Sequence, residues 1–473
     1  MKRTLLRIGG ELRDGKDVEA VINPFDGSQV GEVVVARPAD MQDAVTRAAV
    51  AFGGMRDLPT HRRVAILEAC AQGIEARADE LAQGITEESG KPIRYSRGEV
   101  RRAAVTFGLG AAAARQALGE VLPVDLEARA EGRLGLYQRV PRGPVAAIAP
   151  FNFPLNLVAH KLSPAVAVGT SAVLKPPPQA PLTAHRLADI LLAAGLPEDA
   201  LSVLHCPPAV AQQMVTDSRM KVLSFTGSDA VGWRLKALAG PKQVLLELGG
   251  NAPCVIDEGA DLDRALPAIL QGAWAHAGQV CIKVQRVYCH ASMHDAFLER
   301  FVAETRELAC GDPTDENTVV GPLIEAQQVT RVLDWIGEAV EAGATLHCGG
   351  EAEGRVVRPA ILTGVPETAR VCRDEVFGPV TVVERFDDFD AVLGACNRTR
   401  YGLQVGLFTP DIARALRAFR ALDYGGVIVN DVPTFRTDNT PYGGTKDSGI
   451  GREGVGFAME AYCEPKLLVL RAP

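Results

Sequence analysis

Apolar residues recur at helical spacing through the segment from residue 40 to residue 118. Val64, Leu67 and Ile74 fall on one face of a helix that has 3.6 residues per turn. Asp40 is placed to cap a helix over residues 41–52, and Thr60 is placed to cap the next one. The pattern therefore predicts a layer of helices in this part of the chain.

From residue 144 onward, short apolar runs alternate with helical stretches. The runs cover residues 145–149, 172–174, 201–204, 222–225 and 244–246. Runs of this kind are typical of strands that are buried on both faces and joined by helical crossovers, so they predict a doubly wound parallel sheet. Such sheets bind ligands at the carboxyl ends of their strands, where polar residues and glycines follow these runs.

A second alternation of strands and helices begins near Asn251. Its apolar runs cover residues 254–256, 286–290, 380–385, 405–408 and 427–429. The fold class is therefore α/β, with two doubly wound domains. We predict a first domain from residues 1–120 and 141–248, and a second one from residues 249–455. Residues 121–140 and 456–473 are strand-like segments that we expect to pair between subunits.

Composition and charge exclude several classes of function. The 473 residues include 50 basic and 58 acidic ones, a formal balance of -8, so no dominant positive field attracts nucleic acid or anionic lipid. The N-terminus has no apolar region of signal-peptide length, and no stretch reaches the roughly 18 apolar residues of a membrane span. We expect a cytoplasmic protein that does not bind membranes.

Ten cysteines are scattered through the chain without a C-x-x-C pair or regular spacing. They form neither a disulfide framework nor a zinc-binding pattern, so we predict no metal site. Most cysteines are expected to be reduced core residues. Two strings match the dinucleotide fingerprint, at residues 108–113 and 449–454, but no strand pattern precedes either one, so neither is favoured as the cofactor loop.

Two residues stand out for their chemistry. Cys281 follows Gly278-Gln279-Val280, a loop of small residues in which a thiol can be open to a substrate. Glu247 ends an apolar run, where a carboxylate needs either a partner or a function. Taken alone, Cys281 is more simply a core residue, and Glu247 is more simply a salt-bridged or helix-capping carboxylate.

A set of motifs in fixed order changes this interpretation. It resembles the aldehyde dehydrogenase superfamily and extends over essentially the whole chain. The motifs are Pro150-Phe151-Asn152-Phe153-Pro154, Lys175-Pro176, Phe225-Thr226-Gly227-Ser228, Glu247-Leu248-Gly249-Gly250, Gly278-Gln279-x-Cys281, Glu375-x-Phe377-Gly378-Pro379, Asn397-x-x-x-x-Tyr401-Gly402-Leu403, Pro441-Tyr442-Gly443-Gly444 and Asp447-Ser448-Gly449-x-Gly451-Arg452-Glu453-Gly454. The resemblance implies the fold of that family, including a small β flap for oligomerisation.

The resemblance also implies a mechanism. Cys281, as thiolate, attacks an aldehyde carbonyl, and the side-chain amide of Asn152 with the backbone N–H of Cys281 stabilises the resulting oxyanion. Loss of hydride to a nicotinamide leaves a thioester on the cysteine. Glu247 is then the general base that activates water, because a partly buried carboxylate has a pKa closer to neutrality.

For the cofactor, the resemblance implies NAD or NADP. Lys175 would approach the adenosine ribose, Gly227 and Ser228 the pyrophosphate at a helix start, and Glu375 the nicotinamide ribose. The same region includes four further residues that we expect near the cofactor, namely Pro150, Phe225, Leu248 and Phe377. For each phenylalanine, core packing is the alternative.

One position departs from the family pattern. Three residues after Lys175, where members that prefer NAD have a glutamate, this chain has Pro178. No carboxylate at this position repels a 2'-phosphate, so we expect both NAD and NADP to be accepted.

The resemblance places the substrate beside Phe153, Leu157, His160, Val280, Ile282 and Phe435, with Arg101 or Arg102 near the entrance. Val280 stands where members that act on acidic semialdehydes often have an arginine, which argues against a succinate-like substrate. His160 and Arg436 could still meet a hydroxyl group or an anion.

Residues 429–433 and the surroundings of His160 resemble the branch of lactaldehyde and phosphonoacetaldehyde dehydrogenases, which favours a small polar aldehyde. A hydrogen-bonded pocket wall for His160 and a solvated helix position for Arg102 are the alternatives.

Two other activities stay open. A coenzyme A-acylating enzyme would pass the thioester to a thiol rather than to water, and a thiol esterase or acyl hydrolase would use Cys281 and Glu247 without redox chemistry. Glu247 argues against the first, and a nicotinamide requirement would exclude the second. As partners we expect a small aldehyde and further copies of the chain, in a homodimer or homotetramer.

Overall fold

Five short strands precede the first helix in the computed structural model, which describes residues 3–116 and 119–471. They are β1 (Arg3–Thr4), β2 (Leu6–Ile8), β3 (Glu11–Arg13), β4 (Val18–Ile22) and β5 (Gln29–Val34). Strands β1, β5 and β4 form a small sheet. Sequence analysis did not identify these strands, because strands of two to six residues are too short for a clear alternation.

Four helices follow: α1 (Pro38–Asp57), α2 (Thr60–Ala76), α3 (Ala78–Ser89) and α4 (Ile93–Ala114). They form the predicted helical layer; the last two positions of the predicted segment, 117 and 118, lie outside the described residues. The predicted start of the first helix is wrong by three residues. The helix begins at Pro38, because proline needs no N–H partner there, and Asp40 accepts a hydrogen bond of 2.9 Å from the backbone N–H of Arg37.

The middle of the chain alternates as predicted. After β6 (Gly119–Leu122) and β7 (Arg133–Pro141), the elements are β8 (Val145–Ile148), α5 (Asn156–Val168), β9 (Ala172–Lys175), α6 (Leu182–Ala193), β10 (Leu201–Val203), α7 (Pro208–Thr216), β11 (Val222–Thr226), α8 (Asp229–Ala239) and β12 (Gln243–Glu247). Each of the five predicted apolar runs is a strand, and nearly all of their residues are buried.

The next part alternates in the same way. Its elements are β13 (Ala252–Ile256), α9 (Leu262–Trp274), β14 (Val284–His290), α10 (His294–Arg306), α11 (Ala326–Glu341), β15 (Thr345–Cys348), β16 (Ala352–Glu353), β17 (Val356–Val357), β18 (Ala360–Thr363), α12 (Arg370–Arg373), β19 (Val380–Phe386), α13 (Phe389–Asn397), β20 (Tyr401–Gly402), β21 (Gln404–Phe408), α14 (Ile412–Ala421) and β22 (Gly426–Val429). The chain ends with β23 (Thr445–Lys446), β24 (Gly449–Ile450), α15 (Val455–Tyr462) and β25 (Cys463–Arg471).

Two large sheets contain most of these strands. The first has the order β24-β12-β11-β8-β9-β10-β2-β3, and the second has the order β15-β18-β19-β14-β13-β21-β22. The prediction of a parallel first sheet is correct for its five central strands and wrong at both edges, where β24 and β2 pair antiparallel. Local apolar runs do not reveal such edges, because their pairing partners are distant in sequence. The division into domains that we drew from the sequence stays a prediction.

A third, small sheet has the order β25-β7-β6. It contains the segments expected to pair between subunits, with one correction. Residues 456–462 are helical in α15, and only the part from Cys463 onward is a strand. Positions 472 and 473, at the end of the predicted segment, and positions 1 and 2 lie outside the described residues. Within the described part of the chain, no helix has the length and apolarity needed to cross a membrane.

Candidate active site

A cavity of about 560 Å³ lies where the carboxyl ends of β8, β11 and β12 meet the second sheet. It contains most of the residues that the sequence singled out for chemistry. The predicted residues among its lining are Pro150, Asn152, Leu157, Gly227, Ser228, Glu247, Leu248, Cys281, Glu375 and Phe377. Pro150 and Phe377 meet here although 227 positions separate them in the chain, because both sheets present their strand ends to the same cleft.

The other predicted residues do not line this cavity. Lys175 is a buried residue at the end of β9, and Phe225 packs in the core of the first sheet, which is the alternative expected for it. Leu157 lines the cavity, but the other predicted substrate residues do not. Ile282 is buried beside Leu403 and Tyr442, Val280 packs against them, and Phe435 is half-exposed outside the cavity.

Cys281 is presented by a left-handed turn. After α9, the residues His276, Ala277 and Gly278 have φ values of 52°, 54° and 68°. A side chain at Gly278 would come within 2.5 Å of the Gly378 carbonyl, so glycine is required at this position. The cysteine sulfur consequently faces the cavity instead of lying sealed in the core.

Among residues 3–116 and 119–471, the Cys281 thiol has one hydrogen-bond partner. Its Sγ lies 3.0 Å from the hydroxyl of Tyr442. Burial raises the pKa of the Cys281 thiol to about 12, and the contact with Tyr442 acts in the opposite direction. The site therefore needs help from a base or a bound ligand before the thiolate forms.

Asn152 lies in the loop between β8 and α5 and is buried. Its side-chain Nδ2 donates a hydrogen bond of 3.0 Å to the backbone carbonyl of Gln279, two residues before Cys281. The Gln279 side chain anchors this segment through bonds to the His276 and Pro322 carbonyls and to the Ile324 N–H. The Asn152 amide thus reaches the loop that carries the thiol.

Glu247, the last residue of β12, is buried, and its two carboxylate oxygens have no hydrogen-bond partner in the described part of the chain. The salt-bridged alternative for this residue is therefore wrong. Burial raises the pKa of Glu247 well above its usual value, and the charge of Glu453 adds to this shift, while Arg436 and Lys161 oppose it. This carboxylate therefore binds a proton more tightly than an exposed glutamate does.

A buried ionic cluster that the sequence did not reveal surrounds Glu247. Glu453 accepts hydrogen bonds from Arg436 at 3.1 Å and from Lys161 at 3.3 Å. Although burial acts in the opposite direction, Lys161, His160 and Arg436 lower the pKa of Glu453 to about 2, so this carboxylate is ionised. Glu453 belongs to the glycine string at residues 449–454, but nothing local in that string indicates its buried cations.

A second ionic cluster lies beside the first one. Asp438 Oδ1 lies 2.8 Å from Nε2 of His160, and Asp438 accepts two hydrogen bonds from Arg102, at 2.6 and 3.1 Å. The interpretation of Arg102 as a solvated helix residue is therefore wrong, since a residue 336 positions away pairs with it. His160 is fully buried and hydrogen-bonded.

The remaining part of the cavity fits a dinucleotide. Helix α8 begins directly after Gly227 and Ser228, so its free N–H groups suit a diphosphate. Lys175 has no carboxylate within ion-pair distance in the described chain, which suits a ribose or phosphate ligand. At the other end, Glu375 Oε1 accepts a bond of 3.0 Å from the Gly250 N–H, and burial raises the pKa of Glu375 to about 7.

The two glycine strings that match the dinucleotide fingerprint lie elsewhere. Residues 108–113 are inside α4, and residues 449–454 run from β24 to the start of α15. A fingerprint must follow a strand and open a helix whose N-terminus faces the phosphates, which the first string does not do. The second string does not do so either, because its first two residues are themselves the antiparallel edge strand β24, which pairs with β12.

Comparison with known proteins agrees with this geometry. The sequence matches the aldehyde dehydrogenase family over residues 12–468. The chain is 40% identical to a 3-sulfolactaldehyde dehydrogenase of Priestia megaterium, over 99% of this chain and 98% of that protein. It is 36% identical to a lactaldehyde dehydrogenase of Methanocaldococcus jannaschii, over 98% and 99% of the two chains.

Solved structures give the same result. Aldehyde dehydrogenase 21 of Physcomitrella patens, in complex with the reaction product succinate, superposes with a TM-score of 0.98 at 41% identity and covers 99% of this chain and 98% of its own. A glyceraldehyde-3-phosphate dehydrogenase of Methanocaldococcus jannaschii complexed with NADP gives 0.92 at 36% identity, with 96% and 99% covered. The chain belongs to the aldehyde dehydrogenase family, whose members oxidise aldehydes with NAD or NADP.

Proposed function

We propose that this enzyme oxidises a short polar aldehyde to the carboxylic acid through a thioester on Cys281. The observation that carries the proposal is the meeting of Cys281, Asn152 and Glu247 around one cavity. These side chains supply a nucleophile, a hydrogen-bond donor and a base, which are the three groups that the two half-reactions need.

Cys281 and Asn152 act in the first half-reaction. The thiolate attacks the carbonyl carbon, and the carbonyl oxygen becomes an oxyanion. The Asn152 amide, which donates to the Gln279 carbonyl in this structure, turns to the oxyanion together with the Cys281 N–H. When bound, the nicotinamide accepts the hydride that leaves the tetrahedral carbon. Tyr442 donates to the sulfur while it is charged.

Glu247 acts in the second half-reaction. It removes a proton from the water that attacks the thioester carbonyl. The ionised Glu453 behind it keeps the proton affinity of Glu247 high, and Arg436 and Lys161 prevent that affinity from becoming too high for release. The product acid then leaves and the Cys281 thiol is restored.

NAD or NADP would be held by residues that line the cavity, together with Lys175, which lies outside its lining at the end of β9. We assign Lys175 to the adenosine ribose, the start of α8 at Gly227 and Ser228 to the pyrophosphate, and Glu375 to the nicotinamide ribose. Pro150, Leu248 and Phe377 line the same cleft, and Phe225 supports Gly227 from the core. Pro178 is exposed and carries no charge, which supports the use of both cofactors.

The polar character of the substrate is inferred from Arg436. This residue lines the cavity that holds Cys281, and its Nε has no hydrogen-bond partner in the described structure. A hydroxyl or acidic group of the substrate would satisfy this donor. Relatives named for lactaldehyde and for 3-sulfolactaldehyde support a short aldehyde with such a group. Leu157 supplies an apolar wall of the same cavity.

We further propose that copies of the chain assemble through β25. This strand is at the edge of its sheet, and residues 464–471 are all exposed. Leu467, Leu468, Val469 and Leu470 are between 45% and 60% exposed, an apolar row that a second copy would cover. The sequence expectation of a homodimer or homotetramer is therefore retained.

A cytoplasmic location is proposed from the cysteines. All ten are free thiols, which fits a reducing compartment.

The experiment that tests the proposed function is a spectrophotometric screen. Reduction of NAD and of NADP is followed at 340 nm with a panel of aldehydes, and the acid product is identified with and without coenzyme A. We expect acid formation without coenzyme A, and loss of activity in Cys281→Ser. A thioester product, or turnover that persists in Cys281→Ser, would contradict the proposal.

A further inference from the structure

Two buried carboxylates of the helical layer make the same kind of contact. Glu88, near the end of α3, accepts bonds from the N–H groups of Leu182 and Thr183 at 2.7 and 2.9 Å. Glu99, in α4, accepts bonds from the N–H groups of Leu155 and Asn156 at 2.8 and 3.0 Å. Each carboxylate thus caps the first turn of a helix, α6 or α5, from outside that helix.

Within the described residues, only one of the two carboxylates forms a direct ion pair. The ammonium group of Lys91 forms an ion pair with Glu99 Oε2, and the two side chains are 1% and 0% exposed. No lysine or arginine of the described chain lies within ion-pair distance of Glu88. Burying an ammonium group is costly, and Glu88, on which the charge of Arg186 acts only from beyond ion-pair distance, shows that a cap of this kind does not require a directly paired cation. The presence of Lys91 therefore calls for another explanation.

Lys91 also contacts the residue that follows Asn152. Its Nζ lies 3.8 Å from the centre of the Phe153 ring. The predicted substrate residue Phe153 thus packs against this cation, not against the cavity that holds the thiol. Lys91 and Glu99 together hold the ring at position 153 and the backbone at positions 155 and 156.

Asn152 adjoins this held segment. Its amide reaches the Gln279 carbonyl across the cleft, so a small rotation of the loop between β8 and α5 would move the donor away from Cys281. A displacement of about 1 Å at an oxyanion donor removes most of its effect. In the described structure, backbone hydrogen bonds hold this loop only at its ends, from the Ala149 N–H to the Lys175 carbonyl at 3.3 Å and from the Leu157 N–H to the Phe153 carbonyl at 3.1 Å, and none holds residues 150–152.

We propose that the Lys91–Glu99 pair positions the Asn152 amide for the oxyanion that forms at Cys281. Both are positioning residues, since neither lines the cavity. The inference rests on the proposed function in one respect, the role of Asn152. It adds that a buried ion pair in the helical layer determines how well that amide stabilises the oxyanion.

The test is a double-mutant cycle between Glu99→Ala and Asn152→Ala. We expect Glu99→Ala to slow the acylation of Cys281 by about 10- to 100-fold, comparable to loss of one oxyanion donor. In the Asn152→Ala background the same change should slow acylation by less than about threefold, because the amide that it positions is gone. Additive effects in the cycle would overturn the proposal.

Conservative variants and a matched control separate positioning from folding. Lys91→Met leaves both N–H bonds to Glu99 and should still slow acylation, by about 3- to 10-fold. Glu99→Gln keeps an acceptor for the two N–H groups and should recover part of the rate.

Glu88→Ala removes an equally buried cap at α6, so it should lower the melting temperature about as much as Glu99→Ala while changing acylation less than about threefold. A loss of acylation in Glu88→Ala as large as in Glu99→Ala would contradict the proposal.

Acylation is measured with p-nitrophenyl acetate, which needs no cofactor. The Cys281 thiolate displaces p-nitrophenolate, and the acetyl group becomes a thioester on the sulfur through the same oxyanion. The cycle is then repeated with single-turnover reduction of NADP by lactaldehyde. An enzyme that releases p-nitrophenol but oxidises no aldehyde would contradict the proposed function, and the cycle on the ester would still decide the role of Lys91 and Glu99. If Cys281 can still be alkylated but the enzyme does not react with the ester at all, the proposal is overturned.

Discussion

The hydroxyl of Tyr442 lies 3.0 Å from the sulfur of Cys281, although the two residues are 161 positions apart in the chain. A contact with the ionic cluster fixes the position of the Tyr442 ring. The guanidinium of Arg436 lies 3.6 Å from the centre of that ring. Burial raises the pKa of Tyr442 well above its usual value, so its hydroxyl keeps a proton to donate. The tyrosine is therefore suited to stabilise the thiolate.

Replacing Tyr442 with phenylalanine should make the thiol harder to ionise. The hydrogen bond lowers a pKa that burial raises to about 12, so its loss shifts the ionisation of Cys281 to still higher pH. We expect alkylation of Cys281 by iodoacetamide at pH 8 to slow by about 3- to 10-fold, the equivalent of a hydrogen bond of about 1 kcal/mol. Tyr401→Phe is the control, because Tyr401 lines the same cavity and bonds to Asp229 instead. Equal rates in Tyr442→Phe and the wild type would disprove this role.

Replacing Glu247 with glutamine should separate the two half-reactions. Glu247 acts in its ionised form, and its pKa is raised, so turnover should rise as the pH increases through that raised pKa. Glu247→Gln should retain a burst of NAD(P)H formation equal to the enzyme concentration, with steady-state turnover lower by about 100-fold. Stopped-flow absorbance at 340 nm from pH 6 to 9 measures both quantities. A variant that keeps the wild-type pH profile would exclude Glu247 as the base.

Replacing Arg436 with methionine should reduce the preference for polar aldehydes. The free Nε donor of Arg436 would bond to a substrate hydroxyl, and losing such a bond costs about 1 to 3 kcal/mol, or about 5- to 100-fold. The quantity to compare is the ratio of kcat/KM for lactaldehyde to that for propionaldehyde. Arg436 also interacts with Glu453 and Glu247, and the loss of these interactions affects the reaction of both substrates. Such an effect cancels in the ratio, which therefore reports the contact between Arg436 and the substrate hydroxyl. Arg331→Met, at another part of the cavity, should leave the ratio unchanged.

Introducing a glutamate at position 178 should shift the cofactor preference. The wild type should bind NAD and NADP with similar affinity, because exposed Pro178 offers no charge. In Pro178→Glu, repulsion of the 2'-phosphate should weaken NADP binding by about 5- to 10-fold, with NAD affected less. Dissociation constants from protein fluorescence titrations measure this, with Pro178→Gln as the uncharged control of similar size. An equal change for both nucleotides would show that the 2' group lies elsewhere.

The sequence predicted much of the fold because its signals are local. Apolar runs located ten of the fifteen strands that the described residues contribute to the two large sheets, and helical spacing located the layer between residues 38 and 114. The short N-terminal strands and the antiparallel edges were not predicted. They depend on pairing with distant strands, which short-range patterns do not encode.

By itself, then, the sequence determined the family of this protein through the order of its motifs, and it predicted Cys281, Glu247 and Asn152 as the residues that carry the chemistry. Tertiary structure alone decided their surroundings. The partners of these groups, such as Tyr442, Glu453 and the Lys91–Glu99 pair, come from elements far apart in the chain. Where these elements pack together, burial and neighbouring charges determine the proton affinity and the geometry of each side chain. No local sequence pattern encodes such contacts between distant residues.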